Sequence, residues 1–297
     1  MSKYNLNFVS KFPVAVIFSA LMIITSVTLF FTKGLNYGVD FRGGAEVQVK
    51  FGQEIKLGDL RSAIDSHGFK SSLVQSIGSP GDNEFLVKVN AEDGDLNGVT
   101  DKMTKMLMTD FSAINPVIQK TDIVGPKAGE QLRISGFQAM AWALLMIMVY
   151  IALRFDYKYS PGAIVALLHD VLIIIGIFVL THKEFSLQIV GALLAVIGYS
   201  VNDTVVVYDR VREQEEKAPT KNLKQQINTA LNETLTRTVL TSITTLIVSS
   251  VMYFMGGAGI EDFFFAICIG VIVGTYSSIF VAAPTVLFLD KVVGQKK

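Results

Sequence analysis

The residues with the most chemical potential lie inside a segment made for lipid. The stretch GALLAVIGYSVNDTVVVYDR, residues 191–210, predicts a membrane helix, yet it carries Asn202 and Asp203. Asp203 lies six residues before Asp209, about 9 Å inside the end of the helix. A carboxylate at that depth costs about 2.5–3.5 kcal/mol on insertion scales, so we expect a proton or a cation to relieve it. Arg237, which opens the next apolar segment from the same side, is the candidate cation, and the pair predicts a proton or ion site.

Hydroxyl side chains continue this polar pattern along the helix that contains Arg237. Residues at three- and four-residue spacing share one helix face, and here they are Thr234, Arg237, Thr241 and Thr244 or Thr245. Such a face could line a hydrated path, or the hydroxyls could bond to their own backbone or join helices. The nearby carboxylate and guanidinium favour the first interpretation. The supporting polar path then includes Asn202, Thr241, Thr244 and Thr245, together with His169 and Asp170.

A second pair of ionisable residues lies in the stretch LLHDVLIII, where His169 and Asp170 stand in an apolar segment, about 12 Å from its start. Adjacent residues on a helix point about 100° apart, so we expect that the two side chains cannot both face one small site. Two interpretations stay open. Asp170, with His169, supports or gates the proton site, or the pair is a structural contact.

The composition places these residues in a membrane protein. Of 297 residues, 51% are hydrophobic and only 18% are charged, and the mean hydropathy is +0.46, whereas soluble domains carry about 25% charged residues. The formal net charge is zero and the pI is 6.8, so no nucleic-acid partner is indicated. The single cysteine, Cys268, makes no intramolecular disulfide and no metal cluster can be built on it. We expect no cofactor and no metal.

Six apolar segments approach the roughly 20 residues that a bilayer demands, and they predict six membrane-spanning helices. They cover 13–32, 134–153, 162–180, 187–208, 238–256 and 264–289. The first predicts an anchor, since its apolar run exceeds that of a signal peptide and no small-residue cleavage site follows it. Lys and Arg occupy thirteen positions in the termini and in 154–161 and 209–237, against Lys183 alone in 181–186 and 257–263. Both termini are therefore expected in the cytoplasm, with 33–133 outside.

The outside segment 33–133 has frequent charges and short apolar runs. Strand-like stretches lie at 45–51, 71–78, 84–90 and 116–124, and helical spacing appears at 57–67 and 97–111. This order predicts a ferredoxin-like α+β domain, which reads as a moving or binding module since no catalytic cluster is visible. Gly43 and Gly44, at its entry, predict positive φ or a very close approach of backbones, or else a simple tight turn.

Small residues recur where helices are expected to pack. In the last apolar segment they are Ala266, Gly270, Gly274, Ser278 and Ala282, and in the fourth they are Gly191, Ala195 and Gly198. Leu223, Ile227, Leu231 and Leu235 predict an amphipathic helix along the membrane surface. The expected organisation is 1–32, the first helix; 33–133, the outside domain; 134–290, helices two to six with a cytoplasmic loop at 209–237; and 291–297, the tail.

Four motifs together resemble the SecF family, a part of the SecDF accessory of the general secretion machinery. They are GVDFRGG with Asp40, Gly43 and Gly44; HDV at 169–171; GYSVNDTVVVYDRVRE at 198–213; and LNETLTRTVLTSITT at 231–245. The resemblance implies half of a resistance–nodulation–division unit: a polytopic α-helical protein with six transmembrane helices and one ferredoxin-like periplasmic domain. It further implies that the Asp of the VND motif and the Arg of the TRT motif, here Asp203 and Arg237, take part in proton conduction.

The partners that the resemblance implies are a SecD-like subunit, the SecYEG channel, YajC and a translocating preprotein, in the bacterial inner membrane. The proton gradient would promote late steps of translocation while the outside domain swings on Gly43 and Gly44, and no enzyme activity is implied. Three alternatives stand beside this function: a subunit that only stabilises assembly, a half-transporter of the same superfamily for another substrate, and an aspartyl protease using Asp170 and Asp203. The last lacks the GxGD motif, since the sequence here reads YSVND.

Overall fold

The computed structural model describes residues 5–69, 72–77, 81–90, 96–155 and 158–294. Within these ranges, six helices are long and apolar enough to cross a membrane, which confirms the six predicted spans. The first to sixth spans are Val9–Lys33, Pro126–Arg154, Ser160–Thr181, Leu187–Lys217, Leu223–Met255 and Gly259–Lys291. Lys3 and the tail residues 295–297 lie outside the described residues.

A small α+β domain stands between the first and second spans. The strands in the described ranges are β1 (Asn36–Tyr37), β2 (Gly44–Lys50), β3 (Leu73–Ile77), β4 (Glu84–Asn90), β5 (Val117–Val124) and β6 (Glu184–Phe185). The domain's helices are Val39–Arg42, Leu57–Ser66 and Leu96–Asp110, with a 3-10 turn at Ser112–Ile114. β3 falls within the predicted strand 71–78, whose end residues lie outside the described part of the chain.

The domain's sheet has the strand order β3-β4-β2-β5, and every neighbouring pair is antiparallel. With one helix between β2 and β3 and another between β4 and β5, this is the predicted ferredoxin-like arrangement. In β2, the alternation of valines with polar residues turns Val47 and Val49 inward. They pack against Leu60 and Ile64 of one helix and Met103 of the other, which closes the domain's core.

The chain enters and leaves this domain at one neck. Gly44 at the start of β2 pairs with Val124 at the end of β5, so the entering and leaving segments run side by side. Gly43 has φ +82°, and a Cβ on it would lie 2.8 Å from the backbone N and Cα of Pro126. The positive φ and the close approach that the sequence predicts here are therefore both present at Gly43.

The third span lies at the centre of the membrane bundle. Of its apolar window, 61% is buried, against 11% in the fifth span and 17% in the first. The fifth span exposes large apolar side chains such as Leu240, Ile247 and Phe254. The outer helices therefore leave broad faces for lipid or for another subunit.

The segment 209–237 is not a loop, and the predicted helix along the membrane surface is absent from it. The fourth span continues to Lys217, and the fifth begins at Leu223, so two helical arms flank a turn at 218–222. Asn222 caps the second arm by accepting a hydrogen bond from the Gln225 N–H at 2.9 Å. Ile227 and Leu231 are fully buried in the bundle's core, which is why the apolar face that predicted a surface helix is turned inward.

The sixth span changes helix type in its middle. It consists of an α-helix at Ala258–Ser277, a π-helical turn at Ser278–Ala282 and a second α-helix at Ala283–Gly294. Pro284 has no N–H and cannot bond to the carbonyl four residues earlier, which favours a local widening of the helix. The Ala282 carbonyl accepts a hydrogen bond from the Tyr208 hydroxyl of the fourth span at 3.2 Å.

The two stripes of small residues behave differently. A Cβ on Gly270 would lie 2.2 Å from Val196 Cγ2, and one on Gly274 would lie 3.1 Å from Ser200 Cβ, so this stripe packs against the fourth span. Gly191 and Gly198 are exposed and would meet nothing within 4 Å. The prediction that they pack helices is wrong for this chain's own contacts, because the fourth span turns another face inward.

Candidate functional site

Asp203 sits where the fourth, fifth and sixth spans meet. It is 9% exposed, and each of its two carboxylate oxygens accepts one hydrogen bond from a hydroxyl group. Thr238 of the fifth span donates to Oδ1 at 2.7 Å, and Ser278 of the π-helical turn donates to Oδ2 at 2.7 Å. The carboxylate is thus held by one hydrogen bond from each neighbouring helix, as a buried polar group requires.

Arg237 does not pair with this carboxylate. Within the described part of the chain, Asp203 forms no ion pair, and the Arg237 side chain is exposed. Thr238 points at Asp203, and the residue before it on a helix points about 100° away, toward the outside of the bundle. The two residues therefore form no direct ion pair in the chain on its own, although the charge of Arg237 still acts on the Asp203 carboxylate through space.

Asn202 and the threonines of the predicted polar path are also turned away from Asp203. Asn202 and Thr241 are exposed, and the hydroxyls of Thr241, Thr244 and Thr245 donate to carbonyls of their own helix at 2.8–2.9 Å. This is the alternative that the sequence left open, in which hydroxyls bond to their own backbone. These residues are not brought to Asp203 by this chain's fold.

A different hydroxyl stripe lines the inner face of the fifth span. Ser242 lies one turn after Thr238, bonds to the Thr275 hydroxyl at 2.6 Å and accepts from the Tyr199 hydroxyl at 3.0 Å. Ser249, two turns on, accepts from the Cys268 thiol at 3.2 Å. The spacing of 238, 242 and 249 places these residues on one face of the helix. Because both faces of this helix carry hydroxyls, the sequence did not indicate which face is buried.

His169 and Asp170 form a buried pair in the third span. Both are 1% exposed, and His169 Nδ1 lies 2.9 Å from Asp170 Oδ1, so the prediction that they cannot share a site is wrong. The imidazole can fold back along the helix far enough to reach its neighbour's carboxylate. Asp170 Oδ2 accepts from the Ser200 hydroxyl at 2.6 Å and from the Ser277 hydroxyl at 2.8 Å.

The outside domain is fixed to the bundle at Glu184 in β6, which pairs with β1. One oxygen of Glu184 accepts from the Val39 N–H at 3.2 Å, and the other binds Lys88 Nζ of β4 at 3.0 Å. Asp40 accepts from the first N–H of the fourth span, that of Leu187, at 3.1 Å. The GVDFRGG segment therefore joins the domain to the helix that carries Asp203.

Lys88 is the cation of this junction. Besides Glu184 it lies 3.6 Å from Glu46, and its side chain is 18% exposed. Burial alone would lower the pKa of Lys88, but the carboxylates of Glu184 and Glu46 outweigh it and the pKa is raised. The group therefore stays charged at neutral pH, and its contribution to stability is lost only as the pH rises through that raised pKa. The junction borders a cavity of about 230 Å³.

Replacing Lys88 by methionine is expected to loosen the domain from the bundle by roughly 2–3 kcal/mol, because Glu184 is left largely buried without its cation. Hydrogen–deuterium exchange at β1 and β6 should rise. Adding Glu184→Gln to Lys88→Met should recover part of the loss. Lys120→Met is the matched control, since Lys120 lines the same cavity but pairs with exposed Asp122 in its own strand. Equal hydrogen–deuterium exchange in Lys88→Met and Lys120→Met would contradict the conclusion that Lys88 holds the domain against the bundle.

A metal centre is not indicated. In the described ranges, no group of three or more His, Cys, Asp or Glu side chains is placed to hold an ion. The site's chemistry is that of carboxylates, one imidazole and hydroxyls.

Known proteins resemble the chain over nearly its whole length. Two family models match: "Protein export membrane protein SecD/SecF, C-terminal" over residues 103–292 and "SecD/SecF GG Motif" over residues 28–55. The protein translocase subunit SecF of Thermodesulfovibrio yellowstonii is 38% identical over 98% of this chain and 97% of its own. The protein translocase subunit SecF of Desulfurispirillum indicum is 40% identical over 96% of this chain and 92% of its own.

Solved structures agree with these relatives. A crystal structure of SecDF, a translocon-associated membrane protein from Thermus thermophilus, matches with a TM-score of 0.81 and 31% identity over 99% of this chain and 39% of its own. A crystal structure of SecDF in the super-membrane-facing form matches with a TM-score of 0.75 and 31% identity. The match covers 100% of this chain and 40% of the SecDF chain. The chain spans about two fifths of those SecDF chains.

Proposed function

Because the chain belongs to the SecD/SecF family of protein export membrane proteins, we propose that it uses a proton gradient to promote late steps of preprotein translocation, with Asp203 as the coupling carboxylate. The environment of Asp203 carries the proposal: a buried carboxylate inside the membrane bundle that accepts two hydroxyls and pairs with no cation among the described residues. Proton uptake neutralises it at the least cost. One charge crossing the membrane potential releases about 2.3 kcal/mol per 100 mV, which biases a two-state element by a factor of tens.

Protonation changes the contacts that hold three helices together. A neutral carboxyl group has one O–H donor in place of an acceptor, so the hydrogen bond from Thr238 or Ser278 must reverse or break, and the contact of the fourth span with that neighbour changes. The close seam at Gly270 and Gly274 is the surface along which the fourth and sixth spans slide. Through Asp40, bound at the start of the fourth span, that movement reaches the neck of the outside domain.

A SecD-like subunit covers the outer face of the fourth and fifth spans in this proposal. Arg237 and Asn202 are exposed there, and lipid cannot solvate a guanidinium at membrane depth. The exposed small residues Gly191, Ala195 and Gly198 lie along the same face of the fourth span and allow a second helix to approach closely. The likeness to two fifths of SecDF chains supports such a pairing, in which Arg237 acts on a site shared by both subunits.

The remaining partners and the orientation belong to the same proposal. The pair works beside the SecYEG channel, with YajC, on a preprotein that emerges on the far side of the bacterial inner membrane. The N-terminal segment bonds to the arm of the fifth span, where the Leu6 N–H donates to Asn232 at 2.7 Å. Lys183 and Asp262 pair at the opposite, domain-bearing end. The basic residues lie mostly at the end of the bundle that carries Leu6 and Asn232, and this supports the proposal that both termini are cytoplasmic.

Asp203→Asn is expected to remove gradient-dependent release of a preprotein from vesicles that contain the SecD-like partner and the channel. Asparagine keeps an acceptor for Thr238 or Ser278 but binds no proton, so assembly should persist while coupling is lost. The measurement is the release rate with and without an imposed proton gradient at matched expression.

Asp209→Asn is the matched control for this experiment, because Asp209 is an exposed carboxylate in the same helix and lies 3.7 Å from Arg154. It should retain gradient-dependent release. A subunit that only stabilises assembly is the second candidate, since the exposed face on the fourth and fifth spans also suits it. Unchanged release in Asp203→Asn, with the partner still bound, would favour that candidate and refute the coupling role.

A further inference from the structure

His169 and Asp170 form a site that coupling at Asp203 does not use. Asp170 accepts one hydrogen bond from each of the Ser200 and Ser277 hydroxyls and has its other oxygen against His169 Nδ1. Two hydroxyl donors on one oxygen favour the ionised carboxylate, and a carboxylate beside Nδ1 requires that nitrogen to carry a hydrogen, since two acceptors form no hydrogen bond. His169 Nδ1 is therefore the donor to Asp170 and carries a hydrogen.

The other ring nitrogen of His169 is a buried proton acceptor. Nε2 has no hydrogen-bond partner within the described part of the chain, and the side chain is completely enclosed. When Nδ1 carries the hydrogen of a neutral imidazole, Nε2 presents a lone pair. An unpartnered lone pair in this position is uncommon, since buried polar groups nearly always find a partner.

Charge balance favours a proton on this nitrogen. A neutral His169 beside an ionised Asp170 leaves one net negative charge in the membrane bundle, where an uncompensated charge is costly. No Lys or Arg of the described ranges pairs with Asp170. A proton that binds the Nε2 lone pair converts the two groups into an imidazolium–carboxylate ion pair with no net charge. Its release restores the starting state, and no other bond is made or broken.

Two consecutive serines connect this pair to Asp203. Ser277 donates to Asp170 at 2.8 Å and Ser278 donates to Asp203 at 2.7 Å. They stand where the sixth span passes from α-helix to π-helical turn, a feature found frequently at functional sites. Because the two residues share one peptide bond, a displacement of either serine displaces the other. The states of the two carboxylates are thus linked mechanically as well as by charge.

We infer that His169 and Asp170 form a second proton-binding site, in which His169 Nε2 takes up the proton, and that Ser277 and Ser278 couple this site to Asp203. The inference rests on the proposed function in treating Asp203 as the first proton site. It makes the chain a carrier of two interacting protonation sites within one bundle.

Few other groups face the imidazole. Tyr276 of the sixth span stacks on the ring with centroids 6.0 Å apart, and its hydroxyl bonds to Ser19 and to the Ala15 carbonyl of the first span. The first span has no charged residue between Phe12 and Thr32. From the fourth span come Ser200 and, through the serine link, Asp203. Within the described ranges, Asp170 is the charged group in contact with His169, and the next charges are Asp203, through the serine link, and Arg237, which acts on Asp203.

The chain's three histidines allow a direct test by nitrogen-15 magnetic resonance. Histidine-labelled chain, assembled with an unlabelled SecD-like partner in lipid, gives signals for His67, His169 and His182. The first and last are exposed, so His67→Gln and His182→Asn identify their signals without disturbing the bundle. The remaining signal should change from a neutral, Nδ1-protonated ring to imidazolium as the pH is lowered from roughly 9 to 5.

Coupling is tested by adding Asp203→Asn to the labelled chain. Removal of that negative charge disfavours the imidazolium, so the ratio of protonated to neutral His169 at a fixed pH should fall roughly tenfold. Asp209→Asn should leave the ratio unchanged. The inference would be overturned if the His169 ring kept one protonation state throughout the pH range, or if the neutral ring carried its hydrogen on Nε2. It would also be overturned if the ratio of protonated to neutral His169 were the same with and without Asp203→Asn. If Asp203→Asn keeps gradient-dependent release of the preprotein, the proposed function is refuted instead. The protonation of His169 can still be measured in that case.

Discussion

Gly43→Ala is expected to disrupt the neck between the outside domain and the membrane bundle, at a cost of about 2–4 kcal/mol. Two effects add. A side chain at φ +82° costs about 1–2 kcal/mol, and the new Cβ would lie 2.8 Å from backbone atoms of Pro126, which cannot rotate away. The measurable result is faster trypsin cleavage after Arg42 and Lys127, which flank the neck on its two segments, together with weaker gradient-dependent release.

Two other glycines separate these effects. Gly34 has φ +69° but open space around it, so Gly34→Ala reports the backbone term alone. Gly129 has no positive φ, yet its Cβ would lie 2.8 Å from the Gly43 nitrogen, so Gly129→Ala reports the close approach alone. We expect intermediate effects from both. If Gly43→Ala were no more sensitive to trypsin than Gly34→Ala, the contact with Pro126 would have no part in the neck.

In the proposed mechanism, the same neck would transmit a movement at Asp203 to the outside domain. The entering and leaving segments touch at Gly43 and Pro126, so rotation of the domain must bend both at one place. Glu184 and Lys88 hold the domain against the bundle beside that place. Asp40 ties the entering segment to the start of the fourth span. A shift of that helix would therefore act both on the neck and on the contact between Glu184 and Lys88.

What the sequence predicts well depends on patterns that local physics enforces. Span length follows from the bilayer, and the strand order of the domain follows from alternating and helical spacing, so both were predictable. Asp203 was identifiable because a carboxylate in an apolar run is costly wherever the helix points. The glycine at position 43 was identifiable because only glycine readily adopts its backbone conformation.

What the sequence could not predict depends on which face of a helix turns inward. The fifth span carries hydroxyls all round, and Thr238 rather than Arg237 meets Asp203 because of the way three helices pack. Ser278 was predicted only as a small residue of a packing stripe, and Ser277 belonged to no predicted pattern, since a π-helical turn has no plain sequence signal apart from Pro284. Leu231, predicted at the membrane surface, is buried because the helical arms pack together.

Gly270→Ala is expected to destabilise the chain by about 1–3 kcal/mol, or more, as added atoms in a close-packed contact do. The new Cβ would lie 2.2 Å from Val196 Cγ2 and 2.5 Å from Cγ1, and a β-branched side chain in a helix has little freedom to turn aside. The melting temperature of the purified chain should fall. Val196→Ala combined with Gly270→Ala should recover much of the loss, because it removes the two methyl groups in the way.

Gly198→Ala should have the opposite effect on the isolated chain. Nothing lies within 4 Å of its Cβ position, so alanine is expected to stabilise the helix by up to about 1 kcal/mol. In the presence of the SecD-like subunit the same change should weaken co-purification, because it thickens the face on which we place that partner. Gly270→Ala acts on the inner face of the fourth span and Gly198→Ala on its outer face. A Gly198→Ala chain that binds its partner normally would move the partner surface away from this stripe.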